Sequence, residues 1–438
     1  MKHPLAAVLV VLLLDSAHAL AADGPELRMG GEVRMRGYDL KNMWTSNSSV
    51  GTDDWSVFRL RASLFARVSL ERGVAGYLKI TNQNFGEGVT AQQADKWEVD
   101  NQSSKLFLDN AYIDITRLFD LPFNLRVGRQ DVIYGTGFVL FDGQSQFGST
   151  SAYLDGIRAQ ILPWGGVSLD VLYFKDEERD RANSAHDDIT LAGLYLSAPG
   201  ARHPALPGSG EVYVLNRRDG KNDKDITMVG VRLARGAKSG LDYGLEGAVQ
   251  RGDFVGGISQ EAFGTKCEVG FRFGTLPWAP RVFAGLVWLS GDDPATEGTS
   301  ERWDAFYGGW PQFGDLLAWK YINLGTANDI SRYDPGYASG STVTAEVVYS
   351  NVRIPAIGVS VRPLEKLSVE VSAAPMSVEY TAEDLPKDFG DYYQLFSAYR
   401  YSDHLGFALY GALLEPGGAF GPAPDLVHEV FWEFDLDF

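Results

Sequence analysis

Arginine recurs at alternate positions in this chain, mostly flanked by apolar residues: Arg34 and Arg36, Arg59 and Arg61, Arg67, Arg126 and Arg158. Alternate residues of an extended strand share one face, so these guanidinium groups would stand in rows with greasy side chains behind them. Rows of arginine or lysine around an enclosed aqueous path favour anions, whereas rows of carboxylates favour cations. The planar fork of arginine also suits a carboxylate, which it grips through two parallel hydrogen bonds. Arg28 and Lys79 share this parity. Arg129 has the parity of the apolar face instead, and needs a bulge or a place at a rim to turn inward. Near the end of the chain Glu429, Glu433 and Asp435 alternate in the same way and supply the opposite charge. Two roles stay open for the arginines: a track guiding an anionic ligand, or pairing with carboxylates that only satisfies a polar interior.

The elements that would carry these side chains are strands. Segments of about ten residues alternate between apolar and polar side chains, with turn-rich stretches between them, as transmembrane strands do. Eighteen such segments are legible. In the first, Leu27, Met29, Gly31, Val33 and Met35 form one face; in the second, from Trp55 to Leu70, Phe58, Leu60, Ala62, Leu64, Ala66 and Val68 do. The apolar face recurs with no helical pattern to cover it, so lipid is the expected cover. Connection lengths alternate as well: Asp39 to Asp54 is long, Glu71 to Gly73 short, Gly86 to Ser103 long, Leu118 to Pro122 short, Thr136 to Ser151 long, Pro163 to Gly165 short. Short turns on one side and long loops on the other are the habit of outer-membrane barrels. The rhythm weakens between Ile189 and Arg217. The longest insertion, Gly291 to Asn351, falls on the outer side, and part of it is expected to fold back over the pore mouth.

The start of the chain, Met1-Lys2-His3, an apolar run from Leu5 to Leu14 and then Ala17-His18-Ala19-Leu20-Ala21, reads as a secretory leader cleaved after about residue 21. Its apolar run is about half the roughly twenty residues that span a bilayer as a helix. Residues 22–438 would then be one barrel domain. The single cysteine, Cys267, excludes an internal disulfide framework and reads as a small buried residue. A net charge of −18 argues against nucleic acid as a partner.

At the far end Val430, Trp432, Phe434, Leu436 and Phe438 are apolar at alternate positions, the pattern that barrel-assembly machinery reads in a last strand. Phe271, Trp288, Trp432 and Tyr410 are expected on the outward face, in a girdle at the membrane interface. Trp303, Tyr307, Trp310 and Trp319 lie in the long loop, where sugar contact and loop packing stand equal. Enzyme motifs with nucleophile, zinc or phosphate-loop spacing are absent, the six histidines are scattered, and no cofactor is called for. The run Asp219 to Asp225 lacks the ligand spacing of a calcium hand and reads as a solvated turn.

The segment Leu125-Arg126-Val127-Gly128-Arg129-Gln130, leading into a loop with Gly135, resembles the alginate-export outer-membrane family. Gly308-Gly309-Trp310-Pro311-Gln312-Phe313-Gly314-Asp315-Leu316 and Tyr399-Arg400-Tyr401-Ser402-Asp403-His404 extend the resemblance along most of the chain. It implies an eighteen-stranded monomeric barrel whose electropositive pore passes an anionic polysaccharide. Arg400 joins the candidate pore-lining residues. One departure is the tight turn at Ser402 to His404, where alginate exporters carry a long periplasmic turn. The sequence thus predicts an all-β chain: a single closed antiparallel transmembrane barrel of about 18 strands in the bacterial outer membrane. Its expected partners are lipid, the assembly machinery, and an anionic polysaccharide or small solutes. A diffusion porin for small anionic or neutral solutes is the second reading, and a barrel enzyme or adhesin the third.

Overall fold

The computed structural model describes residues 24–43, 46, 48–49, 54–85, 106–142, 154–163, 165–176, 189–200, 208–220, 223–293, 295–308, 312–317, 350–381, 386–418 and 424–438. The leader expected at 1–21, Trp310 and Trp319 lie outside these residues. Eighteen antiparallel strands follow one another around a closed barrel. They are β1 (Glu26–Lys41), β2 (Trp55–Ser69), β3 (Val74–Phe85), β4 (Leu106–Ile115), β5 (Phe123–Gln130), β6 (Leu154–Ile161), β7 (Ser168–Asp176), β8 (Ile189–Ala198) and β9 (Ser209–Asp219). The second half comprises β10 (Lys224–Arg235), β11 (Gly240–Asp253), β12 (Ser259–Arg272), β13 (Arg281–Leu289), β14 (Val352–Leu364), β15 (Leu367–Val378), β16 (Asp388–Arg400), β17 (Leu405–Pro416) and β18 (Val427–Asp437). Strands β8 and β9 fill the stretch where the sequence rhythm was weakest.

Each strand pairs with its neighbour in sequence, and β18 closes on β1 with Arg34 opposite Asp435 and Arg36 opposite Glu433. Closure matters because a strand in hydrocarbon has no water to satisfy an unpaired edge. The seam ends with Gly31 N–H donating to the Phe438 carbonyl at 2.8 Å and Phe438 N–H donating to the Gly31 carbonyl at 3.0 Å. A Cβ at Gly31 would lie 2.6 Å from the Phe438 ring and from the Ser63 carbonyl, so this strand crossing admits only glycine.

Outward-facing residues such as Met29, Phe58, Leu64, Leu108, Ile113, Val214, Val229 and Trp432 are large, apolar and exposed around the whole circumference. A water-soluble protein rarely leaves so continuous an apolar surface open; a bilayer covers it. Phe271 and Trp288 lie on this face, with Trp288 edge-on to Phe263 at 4.9 Å. Tyr410 does not. It shares the parity of the buried Ala412 and Leu414, points inward, and bonds Tyr392 Oη at 2.6 Å. Cys267 is also turned the other way from expectation. It stands half-buried on the outward face, beside Thr265 Oγ1 at 3.2 Å, because its parity is that of the exposed Val269 and Phe271.

Inside, the barrel is divided along its axis. Towards the long-loop end the inward residues are mainly apolar, among them Leu40, Val57, Phe174, Leu191, Leu215, Met228, Leu289, Ile354 and Leu414, all of them buried. Two loop segments fill the space between them. The first, from Val132 to Asp142, is a small hairpin whose turn requires left-handed backbone at Gly135 and Gly137. The second comprises residues 299–308 and 312–317, and its Trp303 stacks on Phe138 of the first at 5.4 Å and lies flat against Gly264 of β12. The described part of the long loop is therefore a plug within the barrel rather than a cover above it. Towards the short-turn end the inward residues are charged, and this half forms the candidate site.

Candidate functional site: the charged half of the lumen

Alternation along β1 and β2 turns Arg28, Arg34, Arg36, Arg59, Arg61 and Arg67 inward, and β5 and β6 add Arg126 and Arg158. Arg34, Arg36, Arg61, Arg67, Arg126 and Arg158 are each met by a carboxylate from another strand, and Arg28 by Glu26 of its own. Arg36 pairs with Glu433 of β18, and Arg34 approaches the same oxygen at 3.8 Å. Arg61 and Lys79 reach Asp109 at 2.8 and 3.4 Å. Asp114 is shared: Arg67 reaches it at 2.9 Å, and Arg126 grips it through two hydrogen bonds of 2.7 and 3.2 Å. Arg158 binds Asp170 at 2.6 and 2.9 Å.

These arginines differ in how much of them a passing ligand can touch. Arg67, Arg126 and Arg158 keep 33%, 29% and 28% of their side-chain surface open, against 9% for Arg34, 7% for Arg36 and 3% for Arg61. Arg59 is buried as well. The sealed group lies under the plug, and Asp315 of the second loop adds a negative charge facing Arg36 and Arg59. Pairing and sealing thus take up four arginines, and three remain accessible. Arg28 stands at the short-turn rim, largely solvent-exposed, bound to Glu26 at 2.7 Å. Arg400 lies at the same rim in a cavity of about 370 Å3 shared with Lys366, His404, Glu433, Asp435 and Asp437.

Arg129 does not line the pore. It lies opposite Asp155 on β6, at the parity of the lipid-facing Val127 and Ile157, and the two side chains form a bidentate pair of 2.7 and 2.8 Å near the long-loop rim. A register shift does occur nearby, between Lys79 and Ile80, but on the β3–β4 pairing. It turns Asp109 and Asn110 inward together and leaves Arg129 where its parity puts it.

The plug is anchored by a buried charge cluster. Asp304 pairs with Lys224 and with Arg217 at 3.4 Å, while Gln250 accepts from Asp304 N–H at 2.9 Å and donates to its carbonyl at 2.6 Å. Burial alone would raise the Asp304 carboxyl, but Lys224 and Arg217 override it and hold the group well below the usual carboxylate range. Asp219 and Lys224, read from the sequence as parts of a solvated turn, are buried. Tyr134 of the first loop donates to Asp170 at 2.5 Å, so the plug also touches the partner of Arg158. Trp303 and Tyr307 pack inside the plug, Tyr307 bridging Leu140.

Sequence reasoning missed the half-buried row Phe65, Tyr77 and Tyr112, whose rings stack across β2, β3 and β4 at 5.7 and 4.8 Å. Arg126 closes the row, its guanidinium 4.0 Å from the Tyr112 centroid. Parity alone would have found these rings, since Tyr112 stands two residues before Asp114 on the inward face.

Residues 26–433 match the family model described as alginate export. No curated protein matches the sequence. Among solved structures the chain is similar to a BenF-like porin from Pseudomonas fluorescens Pf-5, with 11% identity, a TM-score of 0.61, and coverage of 94% of this chain and 98% of that one. It is also similar to OccAB2 of Acinetobacter baumannii, at 11% identity and a TM-score of 0.56 over 94% and 98% of the two chains. OccK2 of Pseudomonas aeruginosa, solved in complex with glucuronate, matches at 12% identity and a TM-score of 0.54 over 94% and 98%. At these identities the likeness is one of fold.

Proposed function

The chain belongs to the alginate export family, and from that premise we propose that it is a passive outer-membrane channel for an acidic polysaccharide, guided by lumen arginines. The observation that carries the reading is the accessible set Arg67, Arg126 and Arg158, held upright by Asp114 and Asp170 on the open half of the lumen. Charges fixed in a narrow path with low-dielectric walls add their potentials and draw anions in, an effect that salt weakens. Family and fold are those of channels, and no catalytic role is assigned to any residue. In the same reading residues 1–21 are a cleaved leader, residues 22–438 are the barrel, insertion is assisted by the assembly machinery, and the barrel works as a monomer.

The second reading is a diffusion porin for small anionic or neutral solutes. What favours it is the plug, whose packed apolar residues occupy the outer half of the lumen. Planar-bilayer recordings at low salt separate the two. An exporter shows anion preference and is blocked from one side by polymeric uronate; replacing Arg67, Arg126 and Arg158 together with Gln removes both while the barrel still assembles. Anion preference without polymer block leaves the small-solute porin. Cation preference in the native protein overturns the guiding role of the arginines.

A further inference from the structure

The stacked row on β2–β5 presents more than positive charge. Tyr77 lies directly opposite Tyr112, and Arg67 directly opposite Tyr77, so phenol and guanidinium groups adjoin on one patch of wall. The ring faces are used up by one another, by Arg126 at one end and by the β1 backbone at Gly30 at the other, where a Cβ would come within 2.6 Å of Phe65. What the row offers the lumen is its edge. Neither the Tyr77 nor the Tyr112 hydroxyl has a hydrogen-bond partner among the described residues. Arg67 spends one N–H on Asp114 and Arg126 spends two, of the five that each guanidinium carries. The rings cannot turn away, because each is clamped by its neighbours.

We propose that Tyr77 and Tyr112, with Arg67 and Arg126, form a subsite for a carboxylated sugar ring. The guanidinium groups take the carboxylate, and the two phenols donate to or accept from the ring hydroxyls. The subsite therefore distinguishes a sugar acid from an anion of equal charge and size that lacks hydroxyls. Arginines alone would not, since a guanidinium reads only the carboxylate. This inference rests on the reading of the lumen as a path for acidic saccharides, and adds what selects among anions within it.

The test compares galacturonate with cyclohexanecarboxylate, which has the same ring size and charge without hydroxyls, by isothermal titration of the purified full chain in detergent. Galacturonate should bind about tenfold more tightly, the effect of two net hydrogen bonds of ordinary strength. The Y77F/Y112F variant keeps the stacked rings and should lose that margin while cyclohexanecarboxylate binding stays the same. One-sided block by polygalacturonate in bilayers, measured on the same pair of proteins, tells a chain-bound sugar from a free one; tyrosine-dependent block supports the subsite. Equal affinity for the two acids, no binding of galacturonate, or an unchanged margin in Y77F/Y112F overturns it. If anion preference persists in bilayers while the margin is missing, only the subsite falls; if anion preference itself is missing, the proposed function falls.

Discussion

Asp131 is a loop residue whose charge state can change within the ordinary pH range. It closes β5 at the foot of the first plug loop, where burial pushes its carboxyl up to about 6 despite a 2.6 Å hydrogen bond from Asn110. A carboxyl raised on folding favours the neutral form. Its contribution to stability is complete below the ordinary carboxylate range and is lost as pH rises through about 6. Above that value the wall gains a negative charge beside Arg61 and Lys79, so anion preference should decline between pH 5 and 7, roughly one unit either side of that midpoint. The D131N variant should hold a flat, higher preference across the same range; reversal potentials at stepped pH read both. Asp304 makes the opposite case. Removing it leaves Lys224 and Arg217 buried without their shared partner, a loss of about 3–5 kcal/mol for broken buried pairs. The D304L variant should therefore release the plug and show frequent high-conductance openings in single-channel traces. Arg59, Arg126 and Arg158 were legible from alternation, because inward parity needs nothing beyond the strand. Asp304 was not, because its role depends on a loop returning into the lumen to meet two strands some eighty residues earlier.

At the scale of the strand, two rules do most of the positioning: alternation decides which face a residue joins, and neighbour pairing decides whom it meets. Val229, midway along β10, is exposed on the outward face. Its replacement by Lys should cost about 2–4 kcal/mol, as cations do at the bilayer midplane, and denaturant unfolding in lipid vesicles measures it. The seam is the other sensitive element. The G31L variant puts a side chain where the Phe438 ring and the Ser63 carbonyl already sit, so unheated gels should show little of the compact, heat-modifiable form. The sequence carried strand identity well, including β8 and β9, whose flanking turns have atypical lengths. It carried inward-facing aromatics poorly. Tyr410 was read as a girdle residue because an aromatic ring in a barrel strand fits either side, and only its neighbours Ala412 and Leu414 reveal the face.

The molecule as a whole is a closed wall with a stopper in one half and exposed charge in the other. Deleting residues 299–317 should enlarge single-channel conductance while leaving heat-modifiability intact, since the plug meets the ladder at Thr299 and Ser300, parallel to Ser259 and Gln260 at the long-loop end of β12, and is no part of the closed circuit of eighteen strands. Unchanged conductance would place the conducting route elsewhere than through the plugged half. That the chain forms a barrel was written in its period and connection lengths; that the barrel is stoppered was not, because loop residues carry no period to betray where they fold. The axial division has one more consequence. Arg67, Arg126 and Arg158 stand on the short-turn side of the apolar layer, so a mobile anion meets fixed positive charge before the narrow stretch from one direction and after it from the other. Such a pore should rectify: at low ionic strength its current at equal and opposite voltages should differ, and the difference should shrink as added salt shortens the reach of the fixed charges.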